Sequence, residues 1–536
     1  MHKHKCDATG QMVFSWFHPQ APFKVYERDY WWSDKWDSLK YGKEVDFSRP
    51  FLSQVRELFL EVPLPSRSGV NMLNSDYSMN CRNVKNCYLV FGGNTDEDCL
   101  YSLGLDNSKN CADCLFVSDC ELCYECFNVN NSYKLMYCVD CDSSQNLTLC
   151  QDCAGCSNCF GCAGLRNKNY HIFNKSCSKE EYLEKIRSFE LGTTRGLENA
   201  KAEFGKFKLS VPVKYIHARH TSNVSGDYIY HAKDVRNSYR VSNGENMRYC
   251  QDSVFPPGSK DCYDYSFPGD GVELVYEGLT IAIQASNIKF SAYVYASVDN
   301  IEYSAFCHEA HNLFGCVGMR NKEYCILNKQ YSKEEYEKLL PKIKKHMEDV
   351  PYIDSKGRVY KYGEFFPPEF CLFGYNETIA QEYLPLSKKE AVEAGFPWRD
   401  MLTKEYNHTI SWKDLPANLE DAKDSILKEV ILCRSWDEEG EEKALEHNCS
   451  KAFKITPEEL GFYRRMGIPF PQRCFNSRHF ERTKLRNPVY LWHRKCMCDK
   501  QHPHHGVRCS NEFETSYAPD RPETVYCESC YQAEVV

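Results

Sequence analysis

No stretch of this 536-residue sequence stays apolar over the roughly 18–20 residues that a membrane helix needs, so no transmembrane span is expected. The start, MHKHKCDATG, carries charge but no apolar core, and no secretory signal is read there. Positive charge is not in surplus either. Lys and Arg total 66 against 75 Asp and Glu, a net −9 with a pI near 6.1, which excludes a uniformly basic nucleic-acid binder. Catalytic signals are equally sparse. No Gly-rich phosphate loop, nucleophile elbow, paired-carboxylate or Ser/His/Asp pattern stands out, and no catalytic residue is assigned. With 26% charged residues and a mean hydropathy of −0.59, the reading is a soluble chain of about three or four domains.

Cysteine, by contrast, is abundant, at 31 residues. Without a signal the expected compartment is a reducing cytosol, where dense cysteine serves as metal ligand or as a small packing residue. Sixteen thiols lie between 81 and 177, and LTLCQDCAGCSNCFGCAG at 147–164 places one at every third position from Cys150 to Cys162. The ferredoxin spacing C-x2-C-x2-C-x3-C-P is missing, which argues against an iron–sulfur cluster.

A period of twelve explains the run better. Cys87, Cys99, Cys111, Cys123, Leu135, Leu147 and Cys159 fall twelve apart, a second column follows three residues later, and Asn or Asp often precedes the first. Twelve extended residues give a perimeter of about 40 Å, enough for one narrow coil of a β-solenoid, with Asn and Asp at its turns. Leu135 and Leu147 standing in a cysteine column point to packing rather than to ligation. Capture of a soft ion such as Cu(I) by stacked thiols is the alternative.

The segment NCFGCAGLRNKNYHIFNKSCSKEEY (158–182) returns as NLFGCVGMRNKEYCILNKQYSKEEY (312–336), which reads as a duplication. The expected fold is therefore mainly β. It has two duplicated solenoids of about twelve residues per coil, at 71–205 and 206–350, each capped by a helix that opens on Ser178-x-x-Glu181 or Ser332-x-x-Glu335. A mixed region follows at 351–430, with helices expected at 387–395 and 417–433.

Zinc-ribbon-like modules are expected at both ends, 1–70 and 431–536. Cys509, Cys527 and Cys530 with Cys496 or Cys498 form the stronger candidate zinc set, and His502, His504 and His505 are alternative ligands in an insertion of about eleven residues. Cys433, Cys449 and Cys474 form a weaker one. Its C-x-x-C is broken by Ser477, and its fourth ligand is left between His479 and His447. The N-terminal module follows the C-terminal pattern but keeps only Cys6, with Glu27 and Tyr30 where Cys527 and Cys530 stand, and is read as a ribbon without metal.

YWWSDKWD, the two RNKxYxI(F/L)NKxxSKEEY ends, KITPEELGFYRRMGIPFP and YAPDRPETVYCESCYQAEV together resemble a family of uncharacterised cysteine-rich zinc-ribbon repeat proteins from candidate-phyla bacteria. That resemblance covers most of the chain and implies architecture, not activity, since the family has none established. Its middle ribbon usually keeps both C-x-x-C knuckles, from which this chain departs at Ser477 and in its insertions.

The functional expectation is a non-enzymatic scaffold with structural zinc and an unknown macromolecular partner. Soft-metal handling is the alternative, and a carbohydrate, peptide or catalytic groove on the solenoids a weaker one. RNA or DNA is the partner suggested at 451–510, where 13 Lys and Arg face 4 Asp and Glu. Arg464, Arg465, Arg473, Arg478, Lys484 and Arg486 are the expected phosphate-contacting face.

Overall fold

The fold is set by backbone corners. A computed structural model describes residues 2–254, 258–267, 269, 271–400 and 407–535. From Asn80 to Phe173 every third residue is left-handed, with φ between +46° and +69°. Each corner bends the chain, so twelve residues make four short sides and close one coil. Successive coils pair in parallel at that spacing: Tyr133 beside Gln145, Gln145 beside Ser157, and Ser157 beside Asn169. Asn and Asp occupy many corners because they tolerate this conformation. Their side chains form ladders from coil to coil, as Asn71 Nδ2 donates to Asn83 Oδ1 at 2.9 Å and Asn86 Nδ2 to Asp98 Oδ1 at 3.0 Å.

The residue after each corner points inward, which gives four inward columns rather than the two expected. Cys81, Val84, Cys87 and Val90, all buried, line the first of these coils. The lumen admits one short side chain per side, hence Cys, Ser, Val and Leu. Buried thiols are satisfied as donors: Cys126 Sγ donates to Tyr124 O at 3.4 Å and Leu135 O at 3.5 Å. Ser102 Oγ makes the same bond two residues back, to Leu100 O at 2.8 Å, so Cys and Ser are interchangeable here. The thiol run is a core.

The second stack, a 13-stranded sheet, has less even coils. Glu245 faces Lys260, fifteen residues on; Val275 faces Ile288 at thirteen; Ile301 faces Leu313 at twelve. In the coils that pair Val275 with Ile288 and Ile288 with Ile301 the extra residue sits at a doubled corner, where Ile283–Gln284 and Ala296–Ser297 are left-handed in succession. Wider coils admit larger residues, and Tyr265, Ile281 and Ile288 lie in this interior.

Both stacks end alike. A short antiparallel hairpin turns back on the last coil, Asn169–Ile172 with Lys175–Ser176 and Glu323–Ile326 with Lys329–Gln330. Asn174 and Asn328 then plug the column, each amide bonding both backbone groups of one residue, Ala163 or Val317. The expected capping boxes open helices Lys179–Ser188 and Lys333–Asp349, burying Tyr182 and Tyr336 against the coil ends. Among the described residues no helix is long and apolar enough to cross a membrane.

The terminal modules cross over. The N-terminal one (hairpin His2–Lys5 with Met12–Ser15, helices Arg28–Trp32 and Phe51–Glu61) packs on the second stack. There Val62 and Trp36 lie so close to Gly318 that no Cβ fits comfortably. The C-terminal one packs on the first stack, where a Cβ at the corresponding Gly164 would come within 2.8 Å of a Val535 methyl and force it to shift. Region 417–433 differs from expectation: instead of one helix it forms 3-10 turns (Leu419–Asp421, Asp424–Lys428) and the strand Ile431–Leu432. The three-to-four spacing of Leu419, Ala422 and Ile426 lays these residues along the first stack beside Tyr124 rather than around a helix.

One inward position is an acid. Asp96 Oδ1 accepts the Ser108 N–H at 2.9 Å while Oδ2 is buried without a partner, and burial pushes its carboxyl up to about 8. A carboxyl raised on folding destabilises the fold once pH exceeds its unfolded value of 3.8. By pH 7, roughly three units above that value, the penalty is about 4 kcal/mol. Asp96→Ser restores the residue found in the same column at Ser108, Ser132 and Ser144. It should raise the urea midpoint at pH 7, with the gain shrinking as pH falls toward 4. A loss at pH 7 would contradict this. At Cys123, alanine should cost about 1 kcal/mol and leave metal content unchanged, whereas aspartate should cost several times more. Equal tolerance of both would place the residue outside a core.

Candidate metal centres

Among the described residues, three groups of thiols or imidazoles lie close enough to share an ion, and all fall in 433–530. The Sγ atoms of Cys496, Cys509, Cys527 and Cys530 lie within 4.8 Å of one another, all four buried. The antiparallel strands Trp492–Lys495 and Glu512–Thr515 deliver the first two, and the start of helix Glu528–Val535 the others. Cys509 and Cys527 Sγ stand 3.8 Å apart, the S···S edge of about 3.8 Å expected of a tetrahedral thiolate site with metal–sulfur bonds near 2.3 Å. Donors aim at these sulfurs. Cys527 N–H reaches Cys496 Sγ at 3.2 Å, and Asn511 Nδ2 reaches Cys527 Sγ at 3.3 Å. Burial alone would raise the Cys527 thiol, but the Asn511 and Cys530 hydrogen bonds outweigh it and bring it down to about 7. Cys496 completes this group, while Cys498 joins His502, His505 and Cys530 in a second one.

Cys433, Cys449 and Cys474 also converge, with Cys474 Sγ 3.7 Å from Cys449 Sγ. Ser477 stands where a fourth ligand would, its Oγ 3.3 Å from Cys474 Sγ and 3.7 Å from Cys433 Sγ. His447 Nε2 sits behind it, 3.1 Å from the same hydroxyl. His479 turns elsewhere, to Glu382 at 2.9 Å, and is not part of this group.

The basic residues expected to form one phosphate-facing surface are dispersed. Arg478, 5% exposed, bonds Asp113 at 3.1 Å and Glu459 at 3.3 Å inside the protein. Arg486 is covered over the Tyr383 ring and pairs with Glu382 at 3.5 Å. Arg464 binds Ala422 O and Asp424, Arg473 the Ser435 hydroxyl, and Lys484 Glu481, while Arg465 lies over Phe462. Asp113, Glu459 and Arg482 are buried with Arg478 in one ion-pair network, a pairing of residues distant in sequence that no local signal announces.

No protein-family model and no curated protein matches the chain. The matches among solved structures include one from Desulfovibrio desulfuricans G20, whose own assignment as an acetyltransferase is provisional. It is 10% identical, covering 44% of this chain and 63% of that one. Its TM-score of 0.11 carries no argument.

A fourth thiolate at the middle group should strengthen metal retention. Ser477→Cys is expected to slow metal transfer to a chromogenic chelator by about tenfold. An unchanged release rate would mean that the triad holds no ion.

Proposed function

We propose that the protein is a non-enzymatic scaffold in which a structural zinc ion at Cys496, Cys509, Cys527 and Cys530 clasps two coil stacks into one fixed platform. The supporting observation is where this module sits. Its strand Val525–Tyr526 pairs in parallel with Val213–Lys214, and Tyr531 OH donates to Asp152 on the first stack. Thr515 Oγ1 bonds Tyr215 O at 2.6 Å, and Ser516 bonds Asp227 at the start of the second stack. Four thiolates in tetrahedral reach suit zinc, or a single iron, and a ligand set with no open position suits structure rather than catalysis. Soft-metal storage in the solenoid is less favoured, because thiols such as Cys126 already donate to carbonyls. Nucleic acid at 451–510 is the lesser partner, since Arg478 and Arg486 are neutralised internally.

Two measurements test the reading. Metal analysis of the full chain, purified anaerobically, should give zinc and no visible iron–thiolate absorption. Cys527→Ser should lose one zinc and raise the radius of gyration in small-angle scattering as the clasp opens. Iron in place of zinc, or a variant as compact as the unsubstituted chain, would overturn it.

A further inference from the structure

The insertion between Cys498 and Cys509 has a consequence for how many ions the C-terminal module holds. Cys530 belongs to two ligand sets at once: with Cys496, Cys509 and Cys527, and with Cys498, His502 and His505, each set within 4.8 Å. We propose that Cys530 is a bridging thiolate and that the module binds a pair of divalent, thiophilic cations, the second held by Cys498, His502, His505 and the shared sulfur. This rests on the reading that the tetrathiolate set holds the first ion.

The imidazoles are prepared for that role. His505 Nδ1 lies 3.0 Å from the Gly506 carbonyl, which only accepts, so Nδ1 carries the proton and Nε2 presents its lone pair. That Nε2 is 3.1 Å from Cys530 Sγ. His502 Nε2 is buried without a hydrogen-bond partner, on a side chain 7% exposed, with the Glu534 carboxylate 3.4 Å away. The contact with Glu534 is of ion-pair length and is not a hydrogen bond, so a metal bond would supply the directed partner this buried nitrogen lacks. Reciprocal backbone bonds between His502 and His505, at 3.3 and 3.2 Å, hold the two rings on one turn. Cys498 is fully buried, with its sulfur in the same set.

Charge favours sharing. A lone divalent ion on four thiolates leaves −2 in a buried pocket. Two ions on the five thiolates Cys496, Cys498, Cys509, Cys527 and Cys530, with two neutral imidazoles, leave −1, and burial of excess charge is costly. The insertion thus supplies a second ligand set within one module.

The test compares the full-length chain with His502→Ala/His505→Ala and with Cys498→Ala, each expressed in zinc-supplemented medium and purified anaerobically. Metal per chain should fall by one in both variants, with the remaining zinc still removed by Cys527→Ser. Cobalt(II) substitution gives a second, spectroscopic readout besides metal content. Across a thiolate bridge the two spins couple, so the electron paramagnetic resonance signal per cobalt should be weaker in the unsubstituted chain than in the histidine variant. Metal content indifferent to Cys498, His502 and His505, or equal signal per cobalt, would overturn the bridge while leaving the tetrathiolate ion in place. An unsubstituted chain without metal at Cys527 would overturn the clasp itself.

Discussion

The structure depends on one backbone constraint, a left-handed residue at every third position. Each such corner costs a non-glycine residue about 1–2 kcal/mol, so the pattern survives only where something repeated offsets it. Three things do. Backbone groups on either side of each corner bond the neighbouring coils, as Cys87 follows corner Asn86 and Asn86 N–H reaches Leu73 O at 2.9 Å. Outward Asn and Asp amides and carboxylates bond to their counterparts on the next coil. Inward side chains are buried. Three-residue sides fix the bore, and the bore selects the residue. Small residues suit the narrow bore of the first stack, so cysteine and valine dominate there, whereas the second stack also takes Met247, Tyr265 and Met319.

The same corners decide how the rest of the chain attaches. Corner side chains project outward, and several are docking residues: Tyr101 donates to Glu459 at 2.9 Å, Asp113 binds Arg478 and Arg482, and Asp140 faces His217 at 3.5 Å. His217 also bonds Asp227 at 2.8 Å. Although its burial opposes protonation, Asp227 and Asp140 together raise the imidazole to about 9. Buried charges of this kind add little stability over an apolar contact, but removing one partner leaves an uncompensated charge, which makes them selective for one arrangement. Nonpolar docking supplies the affinity, as in the aromatic cluster where Trp31, Phe51 and Phe314 meet.

Much of this was legible because a corner leaves a chemical trace. Asn and Asp at the turns, small residues after them, and capping boxes at Ser178 and Ser332 are all local signals that lie where the structure uses them, and the paired thiols near the C-terminus lie within reach of one another. Two of the four columns escaped notice because Val, Ser and Gly mark them less visibly than cysteine. Two thirteen-residue coils were hidden because an extra corner residue can be Ile283 or Ala296 as readily as Asn. The arginines misled for a different reason. A count of charge along 451–510 says nothing about Asp113, more than three hundred residues away in sequence, which neutralises Arg478 and Arg482. Ligand choice at the middle group was likewise open in sequence, since whether His447 or His479 faces Ser477 is a matter of helix phase.

The two terminal modules differ in what fills their cores. They share a frame: Glu27 N–H bonds Cys6 Sγ at 3.1 Å just as Cys527 N–H bonds Cys496 Sγ at 3.2 Å. In the N-terminal module Glu27 instead caps its helix, accepting from Asp29 N at 2.9 Å and Tyr30 N at 2.8 Å. That module buries Phe17, Phe23, Trp31 and Trp36 in one cluster with the second stack, enough apolar surface to hold it together. The C-terminal module has no such aromatic mass. Its buried cluster is five cysteines with Tyr526 and Tyr531, and those thiols without an ion would be weakly packed groups in a small domain. With an ion bound as proposed above, metal–thiolate bonds would take the place of a large hydrophobic core there, and the crosswise seating of the modules would make the first stack's attachment the one that depends on metal.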